Sequence, residues 1–108
     1  MMNTFEIYIA FVSWGSGGKR RPVLVLDTNI NSATVFKITT HYESKNEKIR
    51  ERYFVIDDWQ QAGLHKPSYI DTNNTITLPL SAVDEKNIVG ILSKADEKRF
   101  VEFIGSKS

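Results

Sequence analysis

Apolar positions recur at every second residue near the start of the chain: Phe5, Ile7, Ile9 and Phe11 alternate with other residues and predict a first strand. Gly15, Gly17 and Gly18 follow, beside Ser13, Trp14 and Ser16, and predict a flexible loop. Arg21-Pro22 ends that loop, because the residue before a proline is pushed toward extended backbone. The unbroken run Val23-Leu24-Val25-Leu26 has the pattern of a strand buried on both faces, and Asp27-Thr28-Asn29 reads as a turn. Residues 33–40 make the third strand. Its pleat sets Phe36 and Ile38 on one face and Lys37, Thr39 and His41 on the other. With the first pair in the core, the other three line an exposed groove in a row.

The second half is more broken. Residues 43–52 are dense in charge and read as a solvated hairpin or mobile loop, after which residues 53–56 resume as a strand. Residues 57–66 are irregular or a short helix. Residues 68–71 and 75–80 read as short strands around an Asn73-Asn74 turn, with Ile76, Leu78 and Leu80 on one face. Residues 88–92 give a last short strand. Ser93 with Asp96 has the form of a helix N-cap with an acidic first turn. Phe100, Phe103 and Ile104 then make a helical stripe that Gly105 closes. The elements sum to a mainly β domain, a small antiparallel barrel or curled sheet with a C-terminal helix.

Composition narrows the partners. A chain of 108 residues is a single domain, residues 1–108, burying roughly 65% of its unfolded surface. Net charge is +1, so polyanion affinity must come from local basic clusters. Cysteine is absent, which removes disulfides, thiolate metal sites and cysteine nucleophiles together. No secretory signal and no run near the roughly 18 apolar residues of a membrane span is present, so a soluble cytoplasmic protein without membrane contact is expected.

The candidate chemistry gathers in three segments: Lys19-Arg20-Arg21-Pro22, the 35–41 strand, and Lys66-Pro67-Ser68-Tyr69-Ile70-Asp71. Arg21 sits between a glycine loop and a buried strand. Its guanidinium suits a phosphate held through two parallel hydrogen bonds, or a salt bridge. Lys19 and Arg20 raise the local positive potential. Thr39 can donate to and accept from a phosphate oxygen, or serve as a β-former, and Lys37 and His41 share its face. His41 has the side chain that suits acid–base work, or ends a strand without a task. Tyr69 and Asp71 share a face. Asp71 has three open roles: anchoring Arg21, reading a base edge, or capping the Asn73-Asn74 turn. Trp14 stacks on a base, plugs a partner's groove or folds back as a core lid. Two histidines without cysteine make no metal-ligand spacing, so no metal or other cofactor is expected. The glycine loop leads into a strand and not a helix, which excludes a P-loop.

In the order and spacing of these parts the chain resembles the MazF/PemK family of toxins from bacterial toxin–antitoxin modules. The parts are the glycine-rich loop, Arg21-Pro22 with its apolar strand, and the Ile38-Thr39 strand. They continue with Gly63-Leu64, Lys66-Pro67-Ser68, Asp71 followed by Thr75-Ile76, and the C-terminal helix. The resemblance spans nearly the whole chain. It implies a CcdB-like, SH3-like barrel that forms a homodimer. It implies cleavage of single-stranded RNA without a metal, opposed by a small antitoxin whose tail covers the site. The family's catalytic arginine matches Arg21, its catalytic threonine Thr39 and its later acidic residue Asp71. The remaining substrate-binding set is Trp14, Lys19, Arg20, Lys37, His41 and Tyr69. Tyr69 and Asn74 stand where the family pattern has arginines, and the first loop lacks the histidine some members carry. Two alternatives stay open at this point: a non-catalytic toxin that inhibits a protein target, and an RNA-binding module that does not cleave.

Overall fold

The structure, a computed structural model, describes residues 2–107. Six strands form one antiparallel sheet: β1 (Glu6–Trp14), β2 (Gly17–Thr28), β3 (Ser32–Thr39), β4 (Tyr53–Val55), β5 (Tyr69–Pro79) and β6 (Val83–Ile91). Among the described residues there are also two α-helices, a single turn α1 (Glu47–Arg50) and α2 (Lys94–Lys107), and a 3-10 turn at Leu80–Ala82. The strand order is β4-β5-β3-β2-β1-β6. The end strands β4 and β6 do not pair with each other, so the sheet is open. The mainly β class with its C-terminal helix is as expected; of barrel and open sheet, the chain takes the second.

The sheet carries a core on each face. Ile7, Leu24, Phe36, Ile38, Phe54 and Ile70 pack with Phe100 of α2 on one side. Tyr8, Ala10, Val12, Val23, Val25, Val35 and Leu78 pack on the other. This is why residues 23–26 show no alternation: Val23 and Val25 supply one core, and Leu24 supplies the other. Phe100 anchors α2 by meeting Phe5, Phe36 and Phe54 edge-on, with centroids 6.2, 6.1 and 5.1 Å apart. Below it the Asp96 N–H donates to Ser93 Oγ at 3.1 Å, the expected cap. The buried Asp96 carboxylate in turn accepts from the Asp57 and Asp58 N–H groups and from Arg99.

Four local expectations are corrected. The glycine segment is a tight hairpin: Trp14 already pairs with Gly17, so Lys19, Arg20 and Arg21 lie within β2. Gly15, at φ +43, supplies the left-handed residue the hairpin needs. Residues 47–50 form a helical turn because Asn46 caps it, its side chain accepting from the Ile49 N–H at 3.0 Å. Asn73-Asn74 does not turn the chain. Thr72 to Thr75 bulge out opposite Phe36 alone, and β5 continues past them. Gly105 does not end α2, which runs on to Lys107, since its backbone keeps negative φ.

Candidate nucleic-acid interface

Pro22 sets the site. On one edge β2 is held against β1 through Arg21 to Ala10 and Pro22 to Ile9. On its other edge, pairing with β3 goes no further than Val23 to Lys37. Proline has no N–H to give a neighbouring strand. Beyond that point β2 and β3 part, and a cavity of about 170 Å³ opens between them. Lys19, Arg20, Arg21 and Pro22 form one lip; Ile38, Thr39, Thr40 and His41 form the other, with Ser68 behind. A second cavity of about 300 Å³ adjoins it and shares Arg21, Thr39 and His41 as a wall. Trp14, Lys37, Lys45, Tyr53 and Asp71 complete that second wall. The strand pleat thus brings Arg21, Lys37, Thr39 and Asp71, from three strands, into one polar patch beside the second core.

Arg21 is half-buried, and its Nε is buried with no hydrogen-bond partner. Among the described residues it makes no ion pair. A buried donor left unmatched costs on the order of 1–3 kcal/mol, so a ligand acceptor recovers energy the fold leaves unspent. Thr39 Oγ1 accepts from the His41 N–H at 3.0 Å. That bond orients the side chain and leaves the hydroxyl proton to donate. Lys37 Nζ stands 3.7 Å from Asp71 Oδ2. Asp71 Oδ1 accepts from both the backbone N–H and the side-chain amide of Asn73, each at 2.9 Å. Its carboxylate is therefore committed to holding the β5 bulge and Lys37. Burial pushes the Tyr53 phenol above its usual range, the nearby Asp71 carboxylate adds to this, and Arg21 opposes it. Tyr53 therefore keeps its proton at neutral pH and offers a donor.

The remaining residues divide. Trp14 is 54% exposed at the hairpin tip, its indole lying against Gly17, so it is no core lid. Lys19 and Arg20 line the first cavity, and Arg20 also reaches Asp84 at 3.7 Å. Tyr69 stands outside both cavities, stacked on Tyr42 at 4.6 Å. Sequence reasoning set Ser68 in a candidate segment without giving it a role, and missed Lys45 and Tyr53. Tyr53 reaches the site only because it pairs with Asp71 across β4 and β5. Among the described residues no three His, Asp or Glu side chains gather to hold a metal ion. No helix of the described chain is long and apolar enough to cross a membrane.

The chain matches no protein-family model and no curated protein. Among solved structures it is similar to the Mycobacterium tuberculosis toxin MazF-mt6, with a TM-score of 0.71 at 27% identity. The similarity covers 94% of this chain and 93% of that one.

Proposed function

We propose that this MazF-like chain is the toxin of a toxin–antitoxin module and an endoribonuclease that cuts single-stranded RNA without a metal. The observation that carries the proposal is Arg21, an arginine with an orphaned Nε on the wall shared by two adjoining cavities, with Thr39 opposite. In the reaction the RNA's own 2′-hydroxyl attacks the adjacent phosphorus. The P–O5′ bond breaks, leaving a 2′,3′-cyclic phosphate and a 5′-hydroxyl end. The protein need supply no nucleophile. It must take a proton from the 2′-oxygen, return one to the 5′-oxygen and hold the crowded phosphorane charge. Arg21 stabilises that charge with its fork of donors. Thr39 donates its hydroxyl proton to a phosphoryl oxygen. His41 shuttles the proton: it faces both cavities, whereas Asp71 is held by Asn73 and Lys37. Trp14 gives the neighbouring strand an exposed aromatic face on which to stack.

As such a toxin the chain acts in the cytoplasm as a homodimer and is restrained by a small antitoxin protein. The test is a gel assay of single-stranded RNA in excess chelator, wild type beside Arg21→Ala. Discrete cuts with 5′-hydroxyl ends are expected, with ~100-fold or greater loss of rate in the variant and an unchanged circular-dichroism spectrum. Intact RNA with folded wild-type protein would sink the reading. An unimpaired Arg21→Ala would remove Arg21 from the mechanism.

A further inference from the structure

A third cavity, of about 400 Å³, continues from the phosphate pocket on the other side of the sheet. Pro22, Thr40 and Ser68 line both. Ile9, Leu64 and Val89 supply apolar walls, while His65 and Lys66 stand exposed at its edge. The pleat says which face this is. Ile9 and Pro22 are cross-strand partners that follow Ile7 and Leu24, members of the core under α2. Val12 and Arg21, which line the second cavity, belong to the opposite face with Tyr8 and Val23. The gap that opens beyond Pro22 therefore runs through the sheet. It carries Arg21 and Thr39 from one face and Pro22, Ile38 and Thr40 from the other.

We propose that the third cavity is a nucleobase subsite that reads one nucleotide next to the cleaved phosphate. The inference rests on the ribonuclease reading above. With a phosphate held in the gap, the chain's two neighbouring nucleotides leave on opposite faces of the sheet. One base reaches the Trp14 side, and the other enters the third cavity. Single-stranded RNA is read in this way, by unstacked bases splayed into separate pockets. The volume lies within the range of ligand sites, and the wall chemistry suits a base: apolar surfaces for its faces, and polar groups at the rim for its edge. Ser68 Oγ already donates to the Lys66 carbonyl at 2.8 Å, so it is left to accept from a base amine. His65 brings a ring nitrogen that donates or accepts. Gly63, at φ +89, lies so close to the Val89 carbonyl that a Cβ there would sit 2.1 Å from its oxygen, so the rim segment packs directly against β6.

The test is sequencing of cut ends from a randomised RNA pool, for wild type, His65→Ala and Lys66→Ala. His65→Ala is expected to relax the preference at a single position beside the cut by tenfold or more, with preferences elsewhere unchanged. Lys66→Ala, a backbone-charge control, is expected to slow cutting of all sequences alike. Because His65 is exposed, neither change threatens folding. An abasic nucleotide at the affected position is expected to cost wild type tenfold in rate and His65→Ala little. Cutting by all three proteins with one identical preference would overturn the subsite and leave the ribonuclease reading standing. A wild type that cuts nothing would overturn both.

Discussion

Arg21 and Thr39 face the same cavities but do different work, and substitution separates them. Arg21 brings charge; Thr39 brings one oriented hydroxyl proton, its oxygen held by the His41 N–H. Thr39→Val keeps the branched shape that β3 requires and removes only that donor. It is expected to lower kcat for RNA cutting about 10- to 100-fold with KM nearly unchanged, the signature of a contact made mainly in the transition state. Steady-state kinetics on a short RNA checks this; a rise in KM alone would make Thr39 a binding residue. That Arg21, Thr39, Lys37 and Trp14 gather in one patch was legible from pleat parity and the glycine segment, which are local properties of sequence, whereas the roles of Arg21 and Thr39 rest on the resemblance. Lys45 and Tyr53 were not legible. Tyr53 depends on the β4–β5 register, and Lys45 on a turn that folds back over the site. Both are set by packing between distant segments.

At the scale of elements, two close backbone contacts fix the site's outer wall. A Cβ placed on Gly90 would lie 2.0 Å from the Ala62 carbonyl oxygen, with no flexible atom to yield. Gly90→Ala is therefore expected to push β6 away from the 57–64 segment and to cost about 2–3 kcal/mol, as overpacking does. Urea unfolding followed by tryptophan fluorescence reads the loss; a midpoint within error of wild type would show that this segment yields freely. The helix was legible because its cap and stripe are local: Ser93, Asp96 and Phe100 all occupy the places their spacing predicts. The two sheet cores were half legible. Phe36 and Ile38 lie in the core as expected, yet Val35 on the opposite face is just as buried. The reason is that an open sheet of this size covers its second face with its own curvature and side chains, which no single strand's pattern states. The β5 bulge was read as a turn for a related reason. Asn73 does bond like a turn residue to Asp71, but β3 holds the strand on both sides of it.

The whole molecule is close to neutral, with 14 basic and 13 acidic side chains, so its affinity for RNA depends on where the charges fall. Lining the first two cavities are Lys19, Arg20, Arg21, Lys37 and Lys45 against the single carboxylate of Asp71. Lys37 is paired with Asp71, and Arg20 with Asp84. Lys19, Arg21 and Lys45 are left to meet phosphates. A mainly antiparallel sheet with a C-terminal helix was legible at this scale. Closure was not, because it turns on whether β4 and β6 meet, and they lie at opposite edges. Nor does net charge reveal a patch built from β2, β3 and the α1 segment. About three phosphate contacts to a single strand imply a slope of about −2 in log affinity against log salt. Binding of an RNA made uncuttable by a 2′-deoxy nucleotide should then weaken roughly 20-fold between 50 and 200 mM salt. Arg21→Ala should make that slope shallower by about 0.7, whereas a substitution at exposed Lys86 should leave it unchanged. Fluorescence anisotropy across a salt series measures both slopes. A flat wild-type response would mean that the phosphates are not what this patch holds, and an acidic protein tail would then be tested on the same residues.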